Sequence, residues 1–164
     1  MAGTEVGRAR ADELAAVGRL TVAAYTDGFV DADDPYVDRL ADTAGRAAGA
    51  ELWVARADGE VLGSVTYCPA GSAYREIARE GEGEFRMLAV AAAARGRGVA
   101  RLLVERCVER TREEGCTGLR ISTMATMHDA HRLYERLGFT RSPADDWSPV
   151  PGVRLLAYAL ELAR

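Results

Sequence analysis

The segment Arg95-Gly96-Arg97-Gly98 combines the residue types that bind an anion. Arginines offer positive charge and forked hydrogen-bond donors, and glycines let a ligand approach the backbone closely. The segment follows 84–90, an apolar run predicted as a strand, and overlaps the start of 97–114, predicted as an amphipathic helix. The first N–H groups of a helix lack partners, and the helix dipole adds positive charge there. The arrangement therefore predicts a phosphate site, whereas the four residues alone would also suit a solvated surface turn.

Two common phosphate motifs do not fit this segment. A dinucleotide fingerprint, Gly-x-Gly-x-x-Gly/Ala, would need Gly or Ala where Arg101 stands. A Walker loop would need Gly-Lys-Ser/Thr, which the segment lacks. An arginine-glycine tract that binds RNA would repeat, and this one occurs once.

The composition of the 164-residue chain is typical of one globular domain, 1–164, with 48% hydrophobic and 28% charged residues. A net charge of −4 argues against a nucleic-acid partner. No apolar run has the length that a membrane span needs, and Met1–Arg10 lacks the apolar block of a signal peptide. An acidic protein with a local arginine cluster indicates a small anionic ligand.

The cysteine and histidine residues do not predict a metal site. Cys68, Cys107 and Cys116 are odd in number and never have Cys-x-x-Cys spacing, which argues against disulfides or zinc and favours a cytoplasmic location. His128 and His131 lie three residues apart, but no third ligand accompanies them. We therefore expect no metal cofactor.

Hydrophobic periodicity predicts the element order β-α-α-β-β-β-α-β-α-β-β, a mixed sheet with helices packed on it. The turn Asp58-Gly59 between two β-rich runs predicts a hairpin. The second helix is predicted over 36–48. Thr126-x-x-Asp129 has the form of a capping box for the last helix, and two strands follow at about 139–146 and 153–161.

Arg95-x-x-Gly98-x-Ala100 resembles the Arg/Gln-x-x-Gly-x-Gly/Ala motif of the GNAT acyltransferase superfamily. In addition, "EFRMLAV" is similar to the fourth strand of that family, and "AHRLYERLGF" (130–139) to its late helix followed by Gly-Phe. The resemblance implies a mixed α/β (α+β) fold. Its central sheet would be mostly antiparallel, with about seven strands, about four flanking helices, and strands four and five splayed apart.

The resemblance implies acetyl-CoA as the acyl-donor cosubstrate. The backbone amides of the motif would bind its pyrophosphate, and the open edge of the fourth strand would pair with its pantetheine arm. Met127 stands where many relatives carry Asn, so water or methionine packing would replace that side-chain hydrogen bond. The implied cofactor-binding residues are Leu88, Ala89, Val90, Arg95, Gly96, Arg97, Gly98, Val99, Ala100, Met127 and Tyr134.

The implied reaction is direct attack of a primary amine on the thioester in a ternary complex. An alkyl amine is protonated at neutral pH, so a base helps, and by resemblance Glu84 is that base, directly or through water. By resemblance Tyr134 lies near the sulfur and protonates the leaving thiolate. From the residues alone, Glu84 also suits a solvated strand end, and Tyr134 a core aromatic position.

The identity of the acceptor substrate is the property that the sequence constrains least. By resemblance its walls include Tyr25, Phe29, Tyr36 and Trp147. The nearby aspartates would attract a cationic amine, on a small molecule or a peptide, or would simply be solvated. Trp147 suits a dimer contact equally well, and homodimers are common in the family. These aspartates are Asp27, Asp31, Asp33, Asp34 and Asp38.

Three functions remain open at this point. The first is an N-acetyltransferase, which Glu84 and Tyr134 favour. The second is a non-catalytic acyl-CoA-binding sensor or regulatory module, which would need the same loop but neither of those two residues. The third is an interaction protein that keeps the fold without binding acetyl-CoA, and the intact loop disfavours it.

Overall fold

A computed structural model describes residues 3–163; residues 1, 2 and 164 of the predicted domain 1–164 lie outside the described part. The strands are β1 (Glu5–Arg8), β2 (Glu51–Ala57), β3 (Glu60–Cys68), β4 (Glu82–Val90), β5 (Gly118–Met124), β6 (Thr140–Arg141) and β7 (Leu155–Glu161). The α-helices are α1 (Leu14–Thr26), α2 (Tyr36–Ala41), α3 (Thr43–Gly49), α4 (Val99–Glu113) and α5 (His128–Arg136). None of the helices in this described part is long and apolar enough to cross a membrane.

The strands form one seven-stranded sheet in the order β1-β2-β3-β4-β5-β7-β6. Every neighbouring pair is antiparallel except β4 and β5, which run parallel. Their pairing is short, since it joins only Glu82, Gly83 and Glu84 to Gly118, Leu119 and Arg120. Beyond these residues the two strands diverge. The predicted mostly antiparallel sheet with splayed fourth and fifth strands is confirmed.

The hairpin between β2 and β3 is confirmed at the predicted turn. Asp58 has φ 51° and Gly59 has φ 77°, so both residues adopt the left-handed conformation that a two-residue type I′ turn requires. Asn, Asp and Gly adopt this conformation most readily, which is why the dipeptide is a reliable local signal.

Helices cover both faces of the sheet. Helix α4 buries Val99, Leu103 and Cys107 in the core that contains Val65 and Phe85. The close approach of α4 to β3 requires a glycine at Gly63, because a Cβ there would lie 2.8 Å from Val99 Cγ1. On the other face, Val17 of α1 packs with Leu52 and Val54.

Three local predictions were wrong. The predicted helix 36–48 is two helices, because Asp42 leaves the helical conformation and its carboxylate accepts the Gly45 N–H at 3.0 Å, capping α3. Residues 3–163 therefore form five α-helices. Helix α5 begins after Met127, which is its N-cap residue, and has no side-chain cap. The predicted capping box of Thr126 and Asp129 is therefore not formed. Strand β6 is only two residues long, because a turn begins at Pro143.

Candidate functional site

The divergence of β4 and β5 opens a cleft of about 830 Å³. One wall is the cleft-side edge of β4, which has no strand partner beyond Glu84 on its β5 side among the described residues. The opposite wall is α5 with the segment before it, and the far end is the loop before α4. Lining residues include Tyr25, Asp27, Phe29, Leu88, Ala89, Val90, Arg95, Gly96, Gly98, Val99, Ala100, Met127 and Leu133.

The loop at the far end has the geometry of an anion cradle. Gly96 has φ 78° and Gly98 has φ 77°, a conformation that strains any residue with a side chain. Gly98 is the N-cap of α4 and has no side chain to satisfy the first N–H groups of the helix. Nothing within residues 3–163 comes within 4 Å of a Cβ added at either glycine. The loop therefore leaves its backbone open for a ligand.

The arginines of the loop differ in their surroundings. Arg95 lines the cleft, and its guanidinium lies 3.3 Å from the Asp27 carboxylate at the end of α1. Both side chains are more than half exposed, at 51% and 66%, so this pair holds weakly in water. Arg97 is exposed and does not line the cleft.

Strand β4 contains a β-bulge at the cleft. Ser64 opposes Ala89, whereas Thr66 opposes Arg86, so a two-residue step on β3 faces a three-residue step on β4. Met87 within that step has φ 54°, a rare conformation for a residue with a side chain. Such bulges redirect the backbone next to functional sites. The bulge was not predicted, because hydrophobic alternation carries no signal for one extra residue.

Tyr134 lies in an aromatic cluster rather than on the cleft wall. The residue is 2% exposed, and its ring centroid lies 5.8 Å from Phe85, 5.7 Å from Phe139 and 5.9 Å from Tyr158. Burial raises the pKa of its hydroxyl well above the ordinary value, and the neighbouring Cys107 adds to the rise. The hydroxyl therefore stays protonated at neutral and moderately alkaline pH, as a proton donor requires.

Glu84 is fully buried and does not line the cleft. Its carboxylate accepts hydrogen bonds from the backbone N–H groups of Glu76, Ile77 and Ala78, at 2.9–3.1 Å. In this geometry Glu84 orders the segment before β4 instead of facing an amine. The role of Glu84 as a base, directly or through water, stays a prediction.

The predicted acceptor residues fall into two groups. Tyr25 and Phe29 line the cleft, whereas Tyr36 packs behind Tyr25 with a centroid distance of 6.3 Å. Burial raises the pKa of the Tyr36 hydroxyl, and the nearby Arg86 opposes that rise. Trp147 does not line the cleft; it pairs with Leu155 through two backbone hydrogen bonds.

Two buried arginines near Tyr25 were not identified from the sequence. Arg46 is fully buried and Arg86 is 8% exposed. The available signal was a charged residue inside an otherwise apolar segment: Arg86 within "EFRMLAV" and Arg46 within "AGRAAGA". Long side chains with charge are rarely buried unless they are paired or bind a ligand.

In the part of the chain that the structure describes, no group of three or more His, Cys, Asp or Glu side chains is arranged to hold a metal ion. His131 places Nε2 3.0 Å from the Met124 carbonyl oxygen, and its ring packs against His128. Cys68 and Cys107 are buried, and Cys116 is partly buried.

Comparison with known proteins connects this geometry to a family. Residues 14–139 match the model of the Acetyltransferase (GNAT) family. The chain is 34% identical over 107 residues to the N-acetylaspartate synthetase of Rattus norvegicus, covering 65% of this chain and 33% of that protein. It is 31% identical over 106 residues to the uncharacterized N-acetyltransferase YjgM of Escherichia coli, covering 65% and 60%. The chain thus spans about a third of the length of the synthetase.

Solved structures share the fold. A GNAT-family acetyltransferase from Staphylococcus aureus Mu50 superposes with a TM-score of 0.77 at 13% identity, covering 98% of this chain and 100% of that one. The structure of yncA from Salmonella typhimurium, a putative acetyltransferase with its cofactor acetyl-CoA, gives a TM-score of 0.68 at 22% identity, covering 99% and 95%.

Proposed function

The chain belongs to the acetyltransferase (GNAT) family, and we propose that it is an N-acetyltransferase that moves the acetyl group of acetyl-CoA to a primary amine. The observation that carries the proposal is the cleft between β4 and β5, which ends at the open glycine loop before α4. A thioester with a long phosphorylated arm matches a cleft with a strand edge along one side and an anion cradle at one end.

The residues of the loop and of β4 would hold acetyl-CoA. The N–H groups around Gly96 and Gly98 are suited to the pyrophosphate, with Arg95 adding charge. The unpaired edge at Leu88–Val90 offers backbone donors and acceptors to the amides of the pantetheine arm. Met127 lies on the opposite wall and supplies apolar packing there.

In the proposed site, the bulge at Met87 helps to direct a backbone N–H group at the thioester carbonyl oxygen. When bound, acetyl-CoA supplies a thioester carbonyl whose oxygen gains negative charge during attack. A backbone N–H aimed at that oxygen from β4 contributes about 3 kcal/mol to catalysis. The left-handed backbone at Met87 changes the direction of the N–H groups that follow it, which a regular strand would not do.

The proton balance assigns roles to two side chains. The amine nitrogen forms the new C–N bond as the C–S bond of the thioester breaks. The ammonium group loses two protons overall. One proton goes to a base, and the other replaces the proton that a side-chain donor gives to the leaving thiolate. Tyr134, kept protonated by burial, is the proposed donor to the thiolate. Because Glu84 is occupied by backbone amides, we assign it the role of positioning the segment that carries Glu76.

Glu76 does not line the cleft, so we propose that it accepts the amine proton through an intervening water. Its carboxylate lies 2.9 Å from Arg86 Nε, on the side of the sheet where Tyr36 packs. Burial raises the pKa of the Glu76 carboxyl, against the opposing charge of Arg86. A raised pKa brings a carboxylate closer to the basicity that proton abstraction near neutral pH needs.

The test is release of coenzyme A thiol from acetyl-CoA with a panel of amines: amino acids, polyamines, aminoglycosides and N-terminal peptides. Calorimetry would measure acetyl-CoA binding in parallel. We expect thiol release with one class of amine and recovery of the N-acetyl product by mass spectrometry. Binding of acetyl-CoA without release for any amine would contradict the enzyme and would favour an acyl-CoA sensor.

A further inference from the structure

Arg46 carries a buried charge that no described residue neutralises by contact. Its Nη1 donates to Thr66 Oγ1 at 3.0 Å and its Nη2 donates to the Leu40 carbonyl oxygen at 2.7 Å. Its Nε is buried and has no hydrogen-bond partner within residues 3–163. An arginine does not lose its proton in a protein, and burying a charge against neutral acceptors alone is costly.

A second buried arginine lies beside it. Thr66, which contacts Arg46, is directly opposite Arg86 in the pairing of β3 with β4. Arg86 has its own carboxylate, since its Nε lies 2.9 Å from Glu76, and its Nη1 donates to the Tyr74 carbonyl oxygen. Glu76 therefore compensates Arg86 but forms no ion pair with Arg46.

Glu84 does not compensate Arg46 by contact either. Glu84 precedes Arg86 by two residues and so shares its face of β4. Its oxygens, however, accept three backbone N–H groups and form no ion pair with Arg46. Among the described residues, the groups that contact the Arg46 guanidinium are the neutral acceptors of Thr66 and Leu40.

A second unpartnered polar atom lies on the same strand as Thr66, which contacts Arg46. Ser64 Oγ is buried without a partner in the described structure, and Ser64 shares a face of β3 with Thr66 because the two are two residues apart. Ser64 opposes Ala89, which lines the cleft. Tyr25 also lines the cleft and lies close enough to both arginines for their charges to act on its hydroxyl. Buried groups of this kind require an explanation.

We propose that Arg46, supported by Arg86, binds a carboxylate of the acceptor, so that the substrate is an α-amino acid or a close analogue with an amine and a carboxylate on neighbouring carbons. This inference rests on the proposed acetyl transfer. Arg46 has five N–H donors, two of which are used; Nε–H and a remaining Nη–H form the side-on fork that a carboxylate accepts. The acidic segment 27–38 complements this site by attracting the ammonium group of the same zwitterion.

The first experiment compares kcat/KM for each of the common L-amino acids with kcat/KM for its carboxamide. The carboxamide keeps the side chain and the amine but removes the negative charge. Because its amine is less basic, more of it is neutral and reactive, so chemical reactivity favours the carboxamide. We expect the best amino acid to exceed its carboxamide by about 100-fold. Equal values for the two would overturn the subsite while leaving acetyl transfer intact.

The second experiment compares Arg46→Gln with Arg56→Gln. Arg56 lies on β2, away from the cleft, and is a matched control. It is also buried, but it forms an ion pair with Glu13. We expect Arg46→Gln to raise KM for the amino acid, to lower kcat/KM much more for the amino acid than for the carboxamide, and so to abolish the preference. Arg56→Gln should lower stability and keep the preference. Equal loss for acid and carboxamide in Arg46→Gln would assign Arg46 a purely structural role and overturn the proposal.

Direct binding separates the two proposals if no amine is acetylated. Calorimetric titration of the amino acids and their carboxamides into protein saturated with coenzyme A would then be decisive. Binding that needs both the carboxylate and Arg46 would support the subsite although the proposed enzyme activity fails. Absence of binding by every amino acid would overturn the subsite.

Discussion

Arg95 and Asp27, which both line the cleft, join the glycine loop before α4 to the end of α1 through an ion pair of 3.3 Å. Both groups are largely exposed, so water and salt screen the pair. A pyrophosphate at the loop would compete with the Asp27 carboxylate for the same guanidinium. A ligand bound at the loop would therefore affect the position of α1, because Asp27 caps this helix. The last turn of α1 carries Tyr25.

The competition predicts a gain from removing the carboxylate. We expect Asp27→Asn to strengthen acetyl-CoA binding by about two- to fivefold in low salt, with a smaller gain at high salt. Calorimetry at two salt concentrations measures the effect. Glu109→Gln is the control, because it breaks an exposed pair with Arg106 on α4 and makes the same change in net charge. An equal gain in both variants would indicate a general charge effect.

The glycine loop gives a second prediction with a close internal control. Gly98 and Gly59 both have φ 77° and open space around an added Cβ, but only Gly98 lies at the cleft. Alanine at either position should lower the free energy of unfolding by about 1 kcal/mol, from backbone strain alone. Only Gly98→Ala should also weaken acetyl-CoA binding, by about tenfold or more, as a backbone hydrogen bond to phosphate is lost. Urea denaturation and calorimetry separate the two effects, and equal acetyl-CoA affinity in both variants would contradict the proposed cradle.

The hydroxyl of Tyr134 gives a third prediction. We expect Tyr134→Phe to lower kcat by about 100-fold without changing acetyl-CoA affinity, because the ring contacts with Phe85 and Phe139 remain. Since burial raises the pKa of this hydroxyl, its protonation should not limit kcat until well into the alkaline range. Steady-state kinetics measure the change. Tyr158→Phe, in the same aromatic cluster, should leave kcat unchanged, and a comparable loss there would assign the effect to packing.

Glu76, before β4, and Glu84, within β4, give a fourth prediction. A base must be deprotonated to act, so the rate should fall as the pH drops through the pKa of Glu76, which burial raises above the ordinary value of a glutamate. Glu76→Gln should remove this acid limb and lower kcat, and it should also lower the free energy of unfolding, because the buried Arg86 loses its carboxylate partner.

Glu84→Gln should differ from Glu76→Gln in the pH dependence of the rate. The glutamine NH₂ group would face backbone N–H donors, so the free energy of unfolding should fall by about 1–3 kcal/mol while the acid limb persists. The pH dependence of kcat/KM and thermal unfolding, measured on both variants, distinguish the roles. Loss of the acid limb in Glu84→Gln alone would restore Glu84 as the base.

Local features were predictable from the sequence, and features that depend on distant contacts were not. The Asp58-Gly59 turn and the glycine loop depend on residues adjacent in the chain. The break at Asp42 depends on which backbone amide its side chain accepts, and helix periodicity does not report that choice. The role of Glu84 depends on a segment that folds back over β4, and the contact of Arg46 with Thr66 joins a helix to a strand 20 residues away.

The bulge at Met87 has a consequence for the side-chain pattern of β4. Ahead of the bulge Arg86 faces the helices α1–α3, and after it Ala89 faces the same way, three residues later instead of two or four. The strand therefore contains two alternations that are out of phase by one residue. Any change that flattened Met87 into regular strand geometry would bring Leu88 opposite Ser64 and turn Ala89 to the other face of the sheet. The surface offered to the acyl donor thus depends on one backbone angle, at a residue that does not itself line the cleft.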